Sequence, residues 1–436
     1  MADMLPFKAL RFNPKYAPDI REVICPPYDV IDAAAQADYY KKHENNIIRI
    51  ELGKEAATDG PDENRYTRAA RFLAEWIDKG ILKKDPDPSF YLYELEYSLP
   101  KTGKKTLTGF FGRVKLEEIG KGNIFPHEFT FPKAKKDRLE LMRACRANTS
   151  PIFMLYADKK GEVIHPLTEA AQKTAPQNNF DWEAGIHHKL WKISDPAAVE
   201  AVSKNLSGLP LFIADGHHRY ETALNYKNEM NEKEPGTGDQ PHDSVMVFCA
   251  NMDDAGMSLL PIHRVILNPL PIEKAEMDKR LGDLFERSEY PFGDSEPAAR
   301  ERLFEAMASR AGDRTVFGMY ARNEKVYHLL TLKKEAAPKI EKTLDGLDSS
   351  LFQKIILEQV FEISNLAEQK EKQVQFKKGD EPAVEMVRKG TAGLAFFLNP
   401  VRIDQFREVV LSGERMPQKT TFFYPKPVTG LVINKF

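Results

Sequence analysis

Residues 209–226 read Leu209-Pro210-Leu211-Phe212-Ile213-Ala214-Asp215-Gly216-His217-His218-Arg219-Tyr220-Glu221-Thr222-Ala223-Leu224-Asn225-Tyr226. Residues 209–214 form an apolar run short enough for a buried strand, and the pattern that follows predicts a helix over 219–230. A strand that passes through Asp-Gly straight into a helix is the general design of a phosphate site. Asp215 suits an N-cap. Gly216 lets backbone or ligand approach without a Cβ in the way. First-turn N–H groups point outward unpaired, and the helix dipole adds partial positive charge. Arg219 offers a planar, permanently charged fork for phosphate oxygens, while His217 and His218 add donors that also shuttle protons. An ordinary strand-to-helix turn accounts for a lone glycine but poorly for Gly-His-His-Arg in succession.

Working outward, a second element is Ile124-Phe125-Pro126-His127-Glu128-Phe129-Thr130, followed by Lys133, Lys135, Lys136 and Arg138. A carboxylate on a Pro-bounded loop near basic residues suits a general base, which makes Glu128 the candidate, with His127 beside it. Read alone, the loop is a solvated charged turn. Tyr28 and Asp29 follow Pro26-Pro27, a lead-in that fixes the backbone and aims them. Asn148-Thr149-Ser150 precedes the apolar strand 151–156 and offers an amide and hydroxyls to an acceptor, or forms a plain turn. The segment 416–426 mixes prolines, lysines and aromatics; it is expected to pack, fold back over the 215–219 turn, and bring Lys419, Thr420 and Thr421 to phosphate. His187-His188 near Trp191 reads as a surface or core pair. His263-Arg264 lies in an apolar strand and needs polar partners.

The chain has 436 residues, enough for two or three cores, with 42% hydrophobic and 29% charged residues. The formal charge of −2 gives no basic field for nucleic acid or an anionic membrane surface. No apolar run reaches the ~20 residues of a membrane helix, and the N-terminus lacks a signal-peptide pattern. Cys25, Cys145 and Cys249 are too far apart for a zinc motif and fit reduced, cytoplasmic thiols. Helices are predicted at 62–80, 136–146, 273–288, 296–310, 347–363 and 403–412. Strands are predicted at 89–98 and 106–116 (a hairpin), 151–156, 244–250, 258–267, 314–321, 325–333, 391–398 and 428–434. Residues 165–200 have no clear period, and 366–381 reads as a solvated mixed-charge face. This irregular alternation predicts an α/β fold of the α+β kind with mixed sheets.

Together, the elements around Glu128, Arg138, Ser150-Pro151-Ile152 and Asp215-Gly216-His217-His218-Arg219 resemble the core of the ParB/sulfiredoxin-like superfamily. Among its branches the pairing of an early-loop glutamate with Asp-Gly-His-His-Arg is most similar to the free serine kinases of archaea. The whole chain, from Pro26-Pro27-Tyr28-Asp29-Val30 to Met416-Pro417-Gln418-Lys419-Thr420-Thr421 and Thr429-Gly430-Leu431-Val432, resembles the family named domain of unknown function 1015. The resemblance implies an N-terminal α/β region (1–105), a phosphate-binding core (106–230) interrupted by an insertion (157–207), and a C-terminal α/β region (231–436).

The implied activity is transfer of a phosphoryl group to a small hydroxyl compound, with free L-serine as acceptor and O-phospho-L-serine as product. The donor is expected to be ATP, ADP or pyrophosphate, seated on residues 215–219 with Mg2+ at Asp215. Glu128 takes the acceptor's proton; His218 and Arg219 stabilise charge. His127, Asn148, Ser150, Tyr28 and Asp29 are expected to hold the acceptor. The expectation includes no nucleic-acid or membrane partner. A reading from another class is a ParB-like nucleotide-binding switch without kinase activity, which calls for a basic face or a helix-turn-helix; the sequence shows neither.

Overall fold

The computed structural model describes residues 3–100, 102–130, 132–233, 236, 238–363, 372–417 and 419–436. Glu368, Lys370 and Glu371 of the charged run, and the side chain of Lys133, lie outside the described residues. The chain divides into two compact units, Met1–Ser258 with Pro425–Phe436, and Leu259–Tyr424. Both combine helices with sheet, the α+β class expected. Among the described residues no helix is long and apolar enough to cross a membrane.

The first unit is built on a nine-stranded sheet. Its strands are β1 (Met4–Leu5), β2 (Phe90–Leu99), β3 (Gly103–Lys115), β4 (Ile124–Pro126), β5 (Ile152–Tyr156), β6 (Asn178–Trp182), β7 (Ile186–Ile193), β8 (Leu211–Asp215) and β9 (Ser244–Asn251). They lie in the order β4-β8-β5-β9-β3-β2-β7-β6, with β1 against β3. The hairpin β2–β3 holds its register from Tyr91↔Phe111 to Leu99↔Gly103. β5 and β9 are buried along their whole length. Such central strands read as continuous apolar runs because both faces are covered.

Helices α1 (Ala33–Lys42), α2 (Ile48–Glu51) and α3 (Arg65–Asp78) share a core of Tyr39, Ile48, Ile50, Leu73 and Trp76. Asn64 caps α3, accepting from the Tyr66 and Thr67 N–H groups. Helix α4 (Pro132–Cys145) packs against α7 (His217–Lys233). The insertion 157–207 holds α5 (His165–Ala171), β6, β7 and α6 (Pro196–Leu206). It extends the main sheet, because β7 pairs with β2 from His187↔Glu96 to Ile193↔Phe90. The alternation in β7 is masked in sequence by His188, which is polar yet buried.

Among the described residues the second unit carries a six-stranded antiparallel sheet, β10 (Ile262–Leu267), β11 (Phe285–Pro291), β12 (Val316–Ala321), β13 (Val326–Leu332), β14 (Val374–Lys378) and β15 (Ala392–Phe397), in the order β11-β13-β12-β15-β10-β14. Four expectations are corrected here. The helix expected at 273–288 ends as α8 (Lys274–Leu284), and Phe285–Pro291 pairs with β13 as an edge strand. The helix expected at 347–363 is a short α-helical turn, α10 (Asp348–Leu351), after α9 (Glu296–Arg310); it continues as a π-helix over Phe352–Val360. The run 366–381 is not a wholly solvated face: Val374 is buried in β14, and Asp380 opens α11 (Asp380–Arg388), which buries Ala383, Val384 and Val387. The strand expected at 428–434 is mostly single bridges, Thr429 to Cys25 and Ile433 to Leu10, with only Asn434–Lys435 pairing as a strand, against Ala147–Asn148. The last helix, α12, is Ile403–Leu411.

Candidate active site

Strands β4 and β8 are parallel neighbours, paired from Leu211↔Ile124 to Ile213↔Pro126. Both therefore end at the same edge of the sheet, and the residues that follow them emerge side by side: His127-Glu128 after β4, Gly216 onward after β8. β5 is antiparallel to β8, so Asn148 to Pro151, which precede it, reach that edge too. The carboxyl ends of parallel strands are where open sheets place ligands. The β5–β8 register shifts between Ile213 and Asp215, a bulge that re-aims the strand end.

Gly216 has φ +94°, and a Cβ there would lie 2.9 Å from Nε of Arg219. Glycine is required on both counts. The Gly216 carbonyl accepts from the Tyr220 N–H at 3.0 Å, and α7 opens at His217, two residues earlier than the pattern predicts. His217 and Arg219 consequently point inward and are buried, while His218 is half-buried.

Arg219 donates through Nη1 to the Pro151 carbonyl and through Nη2 to Oδ2 of Asp215 at 2.6 Å; its Nε has no hydrogen-bond partner among the described residues. The other Asp215 oxygen accepts from Lys426, whose ammonium also donates to Oδ2 of Asp29 at 2.9 Å. Burial pulls the Lys426 ammonium toward neutrality, but the Asp215 and Asp29 carboxylates outweigh it and raise its pKa. The Tyr28 ring lies 4.1 Å from the Arg138 guanidinium and 5.9 Å from that of Arg219, within cation–π range of both. Burial raises the Tyr28 hydroxyl pKa against the pull of those two cations.

Beneath this layer sits Glu51, fully buried at the end of α2. Its carboxylate accepts from the Thr149 hydroxyl, from the Ser150 hydroxyl at 2.9 Å and from Nη1 of Arg138 at 3.4 Å. Asn148 accepts from the Met246 N–H at 3.1 Å and from the Asn434 amide at 2.9 Å. A cavity of about 30 Å³, the size of one water, is lined by Arg138, Asn148, Ser150 and Arg219.

His127 is fully buried. Its Nδ1 donates to the Ile213 carbonyl at 2.8 Å, its N–H donates to Nε2 of His217 at 3.2 Å, and its Nε2 is 3.9 Å from the Glu128 carboxylate. Thr130 and Lys135 both bind Glu221 on α7, at 2.7 and 2.8 Å. Thr130 thus ties the Glu128 loop to α7, and Lys135 ties the first turn of α4 to the same carboxylate.

Within the first unit, Arg219 joins Asp215 to Tyr28, Lys426 bridges Asp215 and Asp29, Glu51 holds Ser150 to Arg138, and His127 meets His217 and Glu128. Lys419, Thr420 and Thr421 belong to the second unit, where the Lys419 carbonyl accepts from Arg264 at 3.2 Å and the Thr420 hydroxyl donates to the Pro417 carbonyl at 2.6 Å. His263 also lies there, its Nδ1 accepting from the Leu398 N–H. His188 is a core residue stacked on Phe180, its Nδ1 2.6 Å from the Tyr93 hydroxyl. All three cysteines are buried. Burial raises each thiol, Cys145 to about 12, which keeps them protonated at neutral pH.

Sequence reasoning missed Glu51 and Lys426. Glu51 had a signal, a single carboxylate in the apolar run Ile47-Ile48-Arg49-Ile50-Glu51-Leu52, since a buried charge must find partners. Lys426 stands between Pro425 and Pro427, which hold it rigidly, but nothing local reveals its partners.

The model of the family described as "Protein of unknown function (DUF1015)" matches residues 4–350. No curated protein matches the chain. Among solved structures, a conserved hypothetical protein from Pyrococcus furiosus is 14% identical, with 69% of this chain and 87% of that one covered and a TM-score of 0.30. A free serine kinase in complex with AMP is 16% identical, with 69% and 83% covered and a TM-score of 0.32. SbnI with a C-terminal truncation, from Staphylococcus aureus, is 12% identical, with 72% and 82% covered and a TM-score of 0.33.

Proposed function

The chain belongs to the DUF1015 family, and from the geometry of its first unit we propose that it is a phosphotransferase acting on a small-molecule hydroxyl, with free L-serine as the acceptor. The observation that carries this reading is the parallel pairing of β4 with β8, which sets the Glu128 loop beside the 215–219 turn. A base and an anion-binding turn at one sheet edge are the equipment phosphoryl transfer needs, because positioning and electrostatics supply most of its catalysis.

In the proposed step, Glu128 accepts the hydroxyl proton as the acceptor oxygen attacks the donor's terminal phosphorus. The bond from that phosphorus to the bridging oxygen breaks, and ATP leaves as ADP, ADP as AMP, or pyrophosphate as phosphate. His218, half-buried at the opening of α7, and the N–H groups of that turn face the donor's phosphates. Arg219 fixes the turn by gripping Asp215 and Pro151, and Lys426 brings a second cation to Asp215. Tyr28 and the 148–150 turn border the acceptor.

Among the described residues no group of three His, Cys, Asp or Glu side chains could cage a metal. Mg2+ commonly takes one or two carboxylates and completes its shell with phosphates and water; Asp215 and Asp29 would hold such a metal by releasing Lys426, which bridges them. Bound there, Mg2+ would neutralise phosphate charge.

The test is a product screen by phosphorus NMR: the full chain with Mg2+, L-serine and other small hydroxy compounds, against ATP, ADP and pyrophosphate separately. O-phospho-L-serine is expected with one of the donors. Absence of any phosphorylated product across the matrix defeats the proposal.

A further inference from the structure

The second unit holds a cavity of about 270 Å³ between the 311–315 turn, the entry to α10 and the start of α12. Its walls carry both signs of charge, Asp348 and Asp313 against Arg314 and Arg402. The Asp348 carboxylate accepts from the backbone and side chain of Asn399, and its buried Oδ2 has no hydrogen-bond partner among the described residues. A buried acceptor left unmade costs the full desolvation of that oxygen. It is therefore a position prepared for a donor that the protein does not itself supply.

Arg402 is committed only in part. Its Nε and Nη2 meet Asp404 at 3.1 and 3.2 Å. Its Nη1 faces the turn at Gly312, where a Cβ would lie 3.7 Å away. Gly312 has φ +95°, which suits glycine. Arg402 also stands at the N-terminus of the nine-residue helix α12, so its charge and the helix dipole favour an anion at the same wall. Arg314 adds a second guanidinium. The rim is apolar: Leu347 and Val401 line it, and Ile340, 57% exposed, is one of the few large hydrophobic side chains left to solvent among the described residues.

An anion subsite, a lone carboxyl oxygen awaiting a cationic donor, and an aliphatic rim fall within one small cavity. We propose that this cavity binds a free α-amino acid with an apolar side chain, its ammonium on Asp348, its carboxylate on Arg402 and the start of α12, and its side chain against Ile340 and Val401. Burial pushes the Asp348 carboxyl up to about 6, with Asn399, Arg264 and Arg402 holding it down; an incoming ammonium would offset the cost of that burial by pairing with the carboxylate. The volume suits such a ligand, being below the usual range for drug-sized sites, about 300–1,000 Å³. This site is separate from the proposed phosphotransfer site and does not depend on that reading.

The test is calorimetry on the full chain with leucine, valine and phenylalanine, beside isocaproate, which lacks the amine, and isopentylamine, which lacks the carboxylate. Saturable binding of at least one amino acid is expected, with the two truncated probes at least tenfold weaker. Asp348→Asn and Arg402→Gln should each weaken it tenfold or more, while Glu128→Gln leaves it unchanged. Arg402 is exposed, so its variant carries the test even if Asp348→Asn fails to fold by circular dichroism. The proposal is overturned if none of the amino acids binds at millimolar concentration, if isocaproate or isopentylamine binds as well as leucine, or if Arg402→Gln binds like the parent.

Discussion

The backbone N–H of His127 donates to Nε2 of His217 across 3.2 Å, and the two rings meet edge-on with centroids 4.5 Å apart. His217 must offer a lone pair at Nε2 to accept this bond, so it serves the neutral ring and fixes the loop that carries Glu128. His217→Phe keeps the ring contact and leaves a buried N–H unmade, at a cost of about 1–3 kcal/mol. The expected outcome is a turnover loss with donor affinity within a few-fold of the parent, measured by steady-state kinetics and calorimetry. Equal turnover in parent and variant would show that the tie does not position the loop.

Glu128→Gln removes the proposed base and preserves shape. Turnover should fall by about 10²–10⁴, the usual worth of a positioned base, while the donor still binds. A loss of less than severalfold with normal donor binding assigns the base to another group.

Lys426→Met leaves Asp29 and Asp215 without their shared cation. Removing one partner of a buried ion pair costs about 3–5 kcal/mol. Asp29 and Asp215 keep 28% and 21% side-chain exposure, which places this variant at the low end. Urea unfolding of the first unit should show the loss, and adding Asp29→Asn should recover part of it. Unchanged stability and unchanged donor affinity would together remove Lys426 from the account.

The turn at 215–219 was legible because its residues are contiguous and its chemistry is local: an apolar strand, a glycine and four charged or titratable side chains. The hairpin β2–β3 and the helix α3 were legible for the same reason, each carrying a clean period and an end signal. Lys426 and Glu51 were not, because their meaning lies in partners far along the chain: Asp215 is 211 residues from Lys426, and Ser150 is 99 from Glu51. β7 hid behind His188, whose burial among Phe180, Tyr93 and Trp182 is a tertiary fact. Phe285–Pro291 read as helix because charged residues at exposed edge-strand positions break the alternation.

The buried histidines set the acid limb of stability. His188 is 1% exposed, and burial pushes its pKa down to about 4, His187 adding to the shift and Asp181 opposing it. His263 is 2% exposed and is pushed down to about 3 by burial and by Arg264. In the unfolded chain both titrate near 6.5. Between that value and the folded pKa the unfolded state binds a proton that the folded state refuses. The stabilisation is therefore fully present above about pH 6.5 and declines as pH falls toward about pH 4, by up to about 1.4 kcal/mol per pH unit for each histidine. His188 and His263 belong to different units, so if the units unfold in separate transitions each slope reports on its own. Urea unfolding at a series of pH values from about 8 to about 5 should show this fall. His188→Phe should start from a lower stability, since the Tyr93 hydroxyl loses its partner at Nδ1, yet show a flatter pH slope in the first unit's transition. A parent whose stability is level through this range, or a His188→Phe slope equal to the parent's, would mean that His188 does not resist protonation in the folded state.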